Sequence, residues 1–288
     1  MSVTKQNMKI AIIGLGLIGG SLALELKKNH TILGIDNKKE HQEKALKLGL
    51  VSKIIKLENI QNVDVVIIAI PVDVTPKITL EVLNTIQDNT LVFDVGSTKE
   101  AVCNHVKNHP KRKNFIAMHP IAGTEFSGPN AAIKNLFTGK VNIICEQDLS
   151  DKKQLLKLEE LLKPIKMRTV FIDDAKQHDK HIAYVSHLSH ISSFMLGKTV
   201  LEIEKGEKNI FDMAGSGFES TVRLAKSSPK TWTPIFIQNK KNILKSLDEY
   251  ISNLQEFKRH LQNSNEEDLF RSMNETNHIK KILNGIIK

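Results

Sequence analysis

The chain is poor in several things at once. In 288 residues it has two cysteines, one tryptophan and two tyrosines. Cys103 and Cys145 stand far apart, so neither a disulfide framework nor a cysteine-built metal site is expected, and a reduced, cytoplasmic setting is the natural reading. Long apolar runs are missing too. The longest, Val65–Val72, falls far short of a membrane span, and no membrane association is expected. Residues 1–7 are polar and the apolar run behind them is short, so no secretory leader is expected. Aromatic residues make up 5%, and the lysines are scattered. The net charge of +9 is therefore read as a solvated lysine-rich surface that helps attract an anionic small molecule, not as a nucleic-acid interface. What is present, 40% hydrophobic and 25% charged residues, suits two soluble globular domains with a sizeable core.

One stretch organises the rest. Met8–Ile13 is an apolar run of strand length ending at Gly14, and Gly14-Leu15-Gly16-Leu17-Ile18-Gly19 is a G-x-G-x-x-G turn before a helical stretch, Ser21–Lys28. In a dinucleotide-binding unit Gly14 makes the tight turn, Gly16 admits the pyrophosphate, and Gly19 lets helix and strand pack closely. The phosphates then meet the free amides of a helix beginning near Leu17 and Ile18. A second strand, Thr31–Ile35, ends at Asp36, 22 residues beyond Gly14. A carboxylate there can accept from ribose hydroxyls and repels a 2′-phosphate, which favours NAD. Lys38 and Lys39 are the features that would suit NADP, and Asp36-Asn37 is also good turn chemistry before a helix over Lys38–Leu48.

Apolar runs at Val63–Ile70 and Thr90–Val95 read as strands buried on both faces. Asp73 is expected to cap a helix reaching Ile86, and further strands are expected at Phe115–Met118, Val141–Cys145 and Met167–Ile172, with a helix over Lys152–Leu162. This alternation predicts a Rossmann-type doubly wound parallel sheet over residues 1–173, with Pro71, Ser97 and the Gly14 turn opening onto one crevice. From Asp174 the pattern turns helical. A helix is expected from Ala175, another from Pro229 to Leu261 with a restart or kink at Thr233-Pro234, and a last one over Glu266–Leu283 stopped by Gly285. The expected architecture is α/β with an all-helical C-terminal domain, 174–288.

Several residues have types suited to chemistry. His119, in Met118-His119-Pro120-Ile121-Ala122-Gly123-Thr124-Glu125, follows a short strand and suits removal of a proton from a hydroxyl. Ser97 opens an S-x-x-E capping box with Glu100, so its hydroxyl either starts a helix or faces the nicotinamide end of the crevice. His178 and His187 point in opposite directions on an uninterrupted helix, so no shared metal site is expected. Ser186, His187 and His190 fall within one arc, a polar patch that is either a substrate face or a hydrated seam. Arg223, beyond Gly215-Ser216-Gly217-Phe218, can clamp a carboxylate or serve in a surface ion pair.

Taken in order, these motifs resemble the prephenate/arogenate dehydrogenase family of tyrosine biosynthesis. The resemblance rests on the glycine turn with Ser21 and Asp36, Gly96-Ser97-Thr98-Lys99, the His119–Glu125 loop, Ser186-His187-Leu188-Ser189-His190 and Gly217-Phe218…Arg223-Leu224-Ala225. It implies an NAD(P)-linked oxidative decarboxylation of a cyclohexadienol carboxylate. His119 would accept the hydroxyl proton and Ser97 would orient it. Arg223, Ser186, His187 and His190 would hold the substrate, with Thr124 and Glu125 lining the pocket. It also implies a monofunctional enzyme that dimerises through the helical domain. Glu219, Ser220 and Val222 depart from the family's basic residue, acid and threonine, a change of charge that would suit arogenate better than prephenate if Glu219 faces the substrate. Two other readings compete. One is a β-hydroxyacid dehydrogenase, which would want a lysine on the polar face of the Ser186–His190 helix; the other is a non-catalytic NAD-binding scaffold, for which His119 would be dispensable.

Overall fold

The protein is described from a computed structural model covering residues 7–207 and 209–286. It divides into two compact units, one ending at Lys240 and one starting at Lys241.

The first unit is built on eight strands: β1 (Lys9–Ile13), β2 (Thr31–Ile35), β3 (Lys53–Ile54), β4 (Val65–Ile68), β5 (Leu91–Asp94), β6 (Phe115–Pro120), β7 (Val141–Cys145) and β8 (Arg168–Ile172). Helices α1 (Leu17–Leu26), α2 (Lys39–Lys47), α3 (Thr75–Thr85), α4 (Glu100–Val106) and α5 (Lys152–Leu162) alternate with them. The strands lie in the order β3-β2-β1-β4-β5-β6-β7-β8. From β1 the chain builds outward on one side, then returns to build on the other from β4. The carboxyl ends of β1 and β4 therefore flank the crevice where such sheets bind ligands.

The period-2 alternation of the strands divides the core. Ile10, Ile12, Val65, Ile67 and Phe93 pack with Leu22 and Leu26 of α1 and Leu158 and Leu161 of α5. Ala11, Ile13, Val66, Ile68 and Val92 pack on the opposite face with Val82 and Leu83 of α3 and Val102 and Val106 of α4. Being covered on both sides explains why β4 is apolar at every position, and β1 and β5 at all but one end residue, Lys9 and Asp94.

The sheet departs from the expected all-parallel pattern at one place. β7 runs antiparallel to β6, pairing His119 with Ile143 and Pro120 with Asn142, and β8 runs parallel to β7. Residues 121–140 hold only a short 3-10 turn at Pro129–Ala131. A parallel return needs a crossover, usually a helix, whereas an antiparallel neighbour needs only a loop. That loop packs back on α1, where Ser21 Oγ accepts from Ile133 N (3.0 Å).

After β8 come α6 (Ala175–Ile182), a π-helical turn (Ala183–His187), α7 (Leu188–Glu204), α8 (Ser216–Val222) and α9 (Pro229–Gln238). α10 (Lys240–Gln262) leads into the second unit, with α11 (Glu266–Thr276) and α12 (Ile279–Ile286). Four local expectations are corrected. Asp73 does not cap α3; Pro71 O accepts from Val74 N and Thr75 N, and the helix starts at Thr75. The long helix breaks at Asn239 rather than at Thr233-Pro234, because Pro234 lies early enough in α9 to be absorbed while the Asn239 side chain is drawn into a buried network. The terminal helix is two, and Gly285 lies inside α12. Ser97 does not cap α4, as described below.

Candidate active site

The glycine turn is packed from beneath and open above. Gly14 has φ +93°, and a Cβ on it would sit 2.2 Å from Ala69 O. A Cβ on Gly19 would sit 2.0 Å from Gly14 O, whereas one on Gly16 would meet nothing within 4 Å. Gly14 and Gly19 are thus demanded by the fold, and Gly16 faces the space a bound phosphate would enter. Gly16 caps α1 without a side-chain hydrogen bond, so the amides of Leu17 and Ile18, which lack intrahelical acceptors, are left for a ligand.

Asp36 ties this turn to β2. Its Oδ2 accepts from Leu15 N and its Oδ1 from Lys38 N, both at 2.9 Å. The turn chemistry anticipated at Asp36-Asn37 is therefore present, and Oδ1 keeps a lone pair for a ribose hydroxyl. His41 Nδ1 stands 3.4 Å from Oδ2. Beside these residues opens a cleft of about 610 Å³ whose walls include Lys38, His41, Lys44, Pro71 and Gly128. This glycine loop, amide pair and acid fit a dinucleotide.

The second half of the site is buried. His119 lies within β6, one residue further into the strand than expected, and is 8% exposed. Its Nδ1 is 2.9 Å from His178 Nε2, and His178 Nδ1 is 2.8 Å from Asp179 Oδ1. Asp179 also accepts from Lys99 N (2.8 Å, Oδ1) and Glu100 N (3.0 Å, Oδ2). The cap of α4 is therefore this carboxylate, reaching in from α6, and Ser97 is left half-buried in the loop after β5. Among the described residues no hydrogen bond joins Ser97, Thr124 or Glu125 to His119; the partner of His119 is His178. Lys99 is fully buried, donating from Nζ to Asp94 Oδ2 and to Met118 O (2.8 Å). Burial holds the His119 imidazole well below its usual pKa, and His178, Lys99 and His187 add to the effect. It is a neutral ring at neutral pH.

The π turn corrects the geometry expected of α6 and α7. It takes up more residues per turn than an α-helix, which re-phases the chain between His178 and His187. His187 is thereby fully buried on the same side, where Asn239 Nδ2 approaches its Nδ1 (3.1 Å) and also donates to Asp179 O (2.7 Å). Burial lowers its pKa to about 4. One turn on, His190 stacks on Trp232 with centroids 3.4 Å apart, and its Nδ1 bonds Ser186 O (3.0 Å). Ser193 pins the Arg223 segment to α7, its Oγ donating to Thr221 O (2.9 Å) and accepting from Ala225 N (3.1 Å). This brings the Arg223 guanidinium close enough to depress the His190 pKa, which burial already lowers. Gln238 joins this layer to the crevice, donating to Val72 O (2.9 Å) and accepting from Thr98 Oγ1.

Sequence reasoning missed His178, Asp179, Lys99, Asn239 and Trp232 as parts of one assembly. Glu219, the departure in the Gly217-Phe218 segment, lies 74% exposed, 4.0 Å from Lys226. Among the described residues no group of three His, Cys, Asp or Glu side chains is spaced to hold a metal, and no helix is long and apolar enough to cross a membrane.

Residues 22–171 match the family model "Prephenate dehydrogenase, nucleotide-binding domain", and residues 174–275 match "Prephenate dehydrogenase, dimerization domain". The chain belongs to the prephenate dehydrogenase family. It is 34% identical over 269 residues to the prephenate dehydrogenase of Bacillus subtilis (strain 168), covering 91% of this chain and 72% of the relative. Among solved structures, the prephenate dehydrogenase of A. aeolicus, in complex with hydroxyphenyl propionate and NAD+, is similar with TM-score 0.87 and 28% identity, covering 98% of this chain and all of that one. Synechocystis arogenate dehydrogenase is similar with TM-score 0.77 and 27% identity, covering 96% and 100%. The proteins similar to this chain thus include both prephenate and arogenate dehydrogenases.

Proposed function

We propose that this protein is an NAD-dependent prephenate dehydrogenase, oxidising the ring hydroxyl of prephenate with loss of CO₂ to give 4-hydroxyphenylpyruvate in tyrosine biosynthesis. The observation that carries the reading is His119: a neutral, buried imidazole at the carboxyl end of β6, on the edge of the sheet where the glycine turn opens. Bound NAD+ supplies the acceptor for the hydride. The amides of Leu17 and Ile18, with the space above Gly16 between Gly14 and Gly19, hold its pyrophosphate; Asp36 holds its ribose, and Pro71 and Ser97 border the nicotinamide end.

His119 takes the hydroxyl proton as hydride leaves the same carbon, and loss of CO₂ then restores aromaticity. Burial keeps the ring unprotonated, and so ready to accept, down to pH values where an exposed histidine would already be charged. Ser97 meets the substrate hydroxyl. Arg223 and His190, with Ser186 and His187 behind them, hold the substrate carboxylates, and Thr124 and Glu125 line the pocket. In this reading residues 1–173 bind the dinucleotide and residues 174–288 bind substrate. They also join two copies into a homodimer, which supplies a cover for exposed Met195, Leu201 and Ile203 on α7 and, separately, for Leu254 and Phe257 on α10. Two buried free thiols, Cys103 and Cys145, suit the cytoplasm.

Prephenate with NAD+ should give NADH, and His119→Asn should remove the turnover while NAD+ binding survives. If neither prephenate nor arogenate reduces NAD+ or NADP+, the assignment fails. Arogenate is the second reading. It is favoured by Glu219 standing where family members commonly carry a basic residue, and initial rates on the two substrates side by side decide between them.

A further inference from the structure

Asp179 is the most heavily used carboxylate near the proposed base, yet it is 2% exposed and faces no open space. It accepts from the first two amides of α4, Lys99 N and Glu100 N, and from His178 Nδ1. A carboxylate can only accept, so the hydrogen of a neutral His178 ring must sit on Nδ1. His178 Nε2 is then a bare lone pair, and it stands 2.9 Å from His119 Nδ1. That contact is a hydrogen bond only if His119 carries its own hydrogen on Nδ1. The remaining nitrogen of His119, Nε2, is thereby left unprotonated.

From this we infer that Asp179 and His178 are positioning residues that set the tautomer of His119 and lock it to the start of α4. The inference rests on the reading of His119 as base. Without the chain, a neutral imidazole distributes its hydrogen between both nitrogens, and only one of the two forms can accept a proton at Nε2. When Nε2 takes the substrate proton, the imidazolium donates from Nδ1 to His178 Nε2, and His178 in turn donates to the Asp179 carboxylate. The same carboxylate anchors the first turn after Ser97, so the loop bordering the nicotinamide end and the base share one fixed point. The charged and titratable groups facing His119 are His178 and Asp179 from α6, Lys99 from the start of α4 with Asp94 beneath it on β5, and His187 from the π turn.

The test compares Asp179→Asn, His178→Leu and His178→Gln with the parent and with His119→Asn. Turnover of prephenate should fall about 10²-fold or more in Asp179→Asn and His178→Leu, with KM and the NAD+ dissociation constant within about twofold of the parent. His178→Gln, whose amide oxygen can accept from His119 Nδ1, should recover most of the loss. In Asp179→Asn the acid limb of the turnover profile should move to lower pH, because a negative charge that favours the protonated ring is gone. In the free parent protein, nitrogen-15 signals should put the His119 hydrogen on Nδ1, and His178→Leu should redistribute it. If Asp179→Asn fails to fold, the Leu and Gln variants at His178 carry the comparison. A parent-like turnover and acid limb in His178→Leu, with His119→Asn inactive, overturns the inference and leaves the base reading intact. A hydrogen found on Nε2 of His119 in the parent overturns it outright. Full turnover in His119→Asn would sink the base reading itself.

Discussion

The two ends of the crevice are made in opposite ways. At the glycine end the useful groups are backbone amides, and the side chains that matter are the ones left out: a Cβ on Gly14 or Gly19 would strike main-chain oxygen, and Gly16 stands open. All of it comes from one contiguous turn plus Asp36. At the histidine end the useful groups are side chains drawn from β5, β6, α4, α6, the π turn and α9, nearly all buried and bonded to one another. A binding cradle that recognises phosphate needs only exposed amides and a dipole. A base needs a controlled protonation state, and control comes from burial and fixed partners, which no single segment supplies.

That contrast can be broken from the histidine side first. His119→Asn should lower turnover by about 10²–10⁴-fold without moving NAD+ affinity, read by steady-state kinetics beside calorimetric binding. Next in size, Lys99→Met strips the buried Asp94 carboxylate of its cationic partner, leaving it the Gly96 amide, and should cost about 3–5 kcal/mol of stability in urea unfolding. A cost below 1 kcal/mol would mean that the pair contributes little. Acidification tests the same burial without mutation. His119 and His187 have folded pKa values below the ordinary 6.5, His187 at about 4. The unfolded chain therefore binds more protons between those values, and stability should be full above pH 6.5 and fall as pH drops toward 4, by up to about 3 kcal/mol for His187 alone. A flat urea midpoint over that range would contradict it.

The glycine side gives smaller and cleaner effects. Gly16→Ala should leave unfolding unchanged, since its Cβ meets nothing, while weakening NAD+ about tenfold. Gly14→Ala, strained at φ +93°, should instead lose stability by at least about 1–2 kcal/mol. The smallest change is expected at Glu219→Lys. An exposed pair with Lys226 is worth little, so stability should move by less than about 1 kcal/mol, and an altered prephenate-to-arogenate rate ratio would show that this position faces substrate.

How much was legible in the sequence follows the same divide. β2, β7 and α5 fall on their expected residues, because strand length, apolar runs and helical periodicity are local signals. The Gly14 turn and Asp36 were readable for the same reason. The strand leading to His119 was readable, but the partner of its ring, His178, was not. Ser97 looked like the cap of α4 because S-x-x-E is a local pattern, whereas the actual cap, Asp179, lies 80 residues from Lys99. The direction of β7 was hidden in a loop with no pattern of its own. Asn239 gave no signal at all, since its role is to satisfy Asp179 O and His187 from the break between α9 and α10.

The π turn at Ala183–His187 makes the winding of the helix itself part of the site's specification. His178 and His187 share a buried side only because that segment holds one residue more per turn than its neighbours need. Rewinding the same residues as an ordinary α-helix would delete no group that binds or reacts. It would nonetheless swing everything downstream through one residue's turn, about 100°. His190 would leave the face of Trp232, and Ser193 would let go of the Arg223 segment. Two relatives could therefore agree at every chemically active position of this helix and still differ in activity, through whether the segment between Asp179 and His190 winds as a π turn or as α.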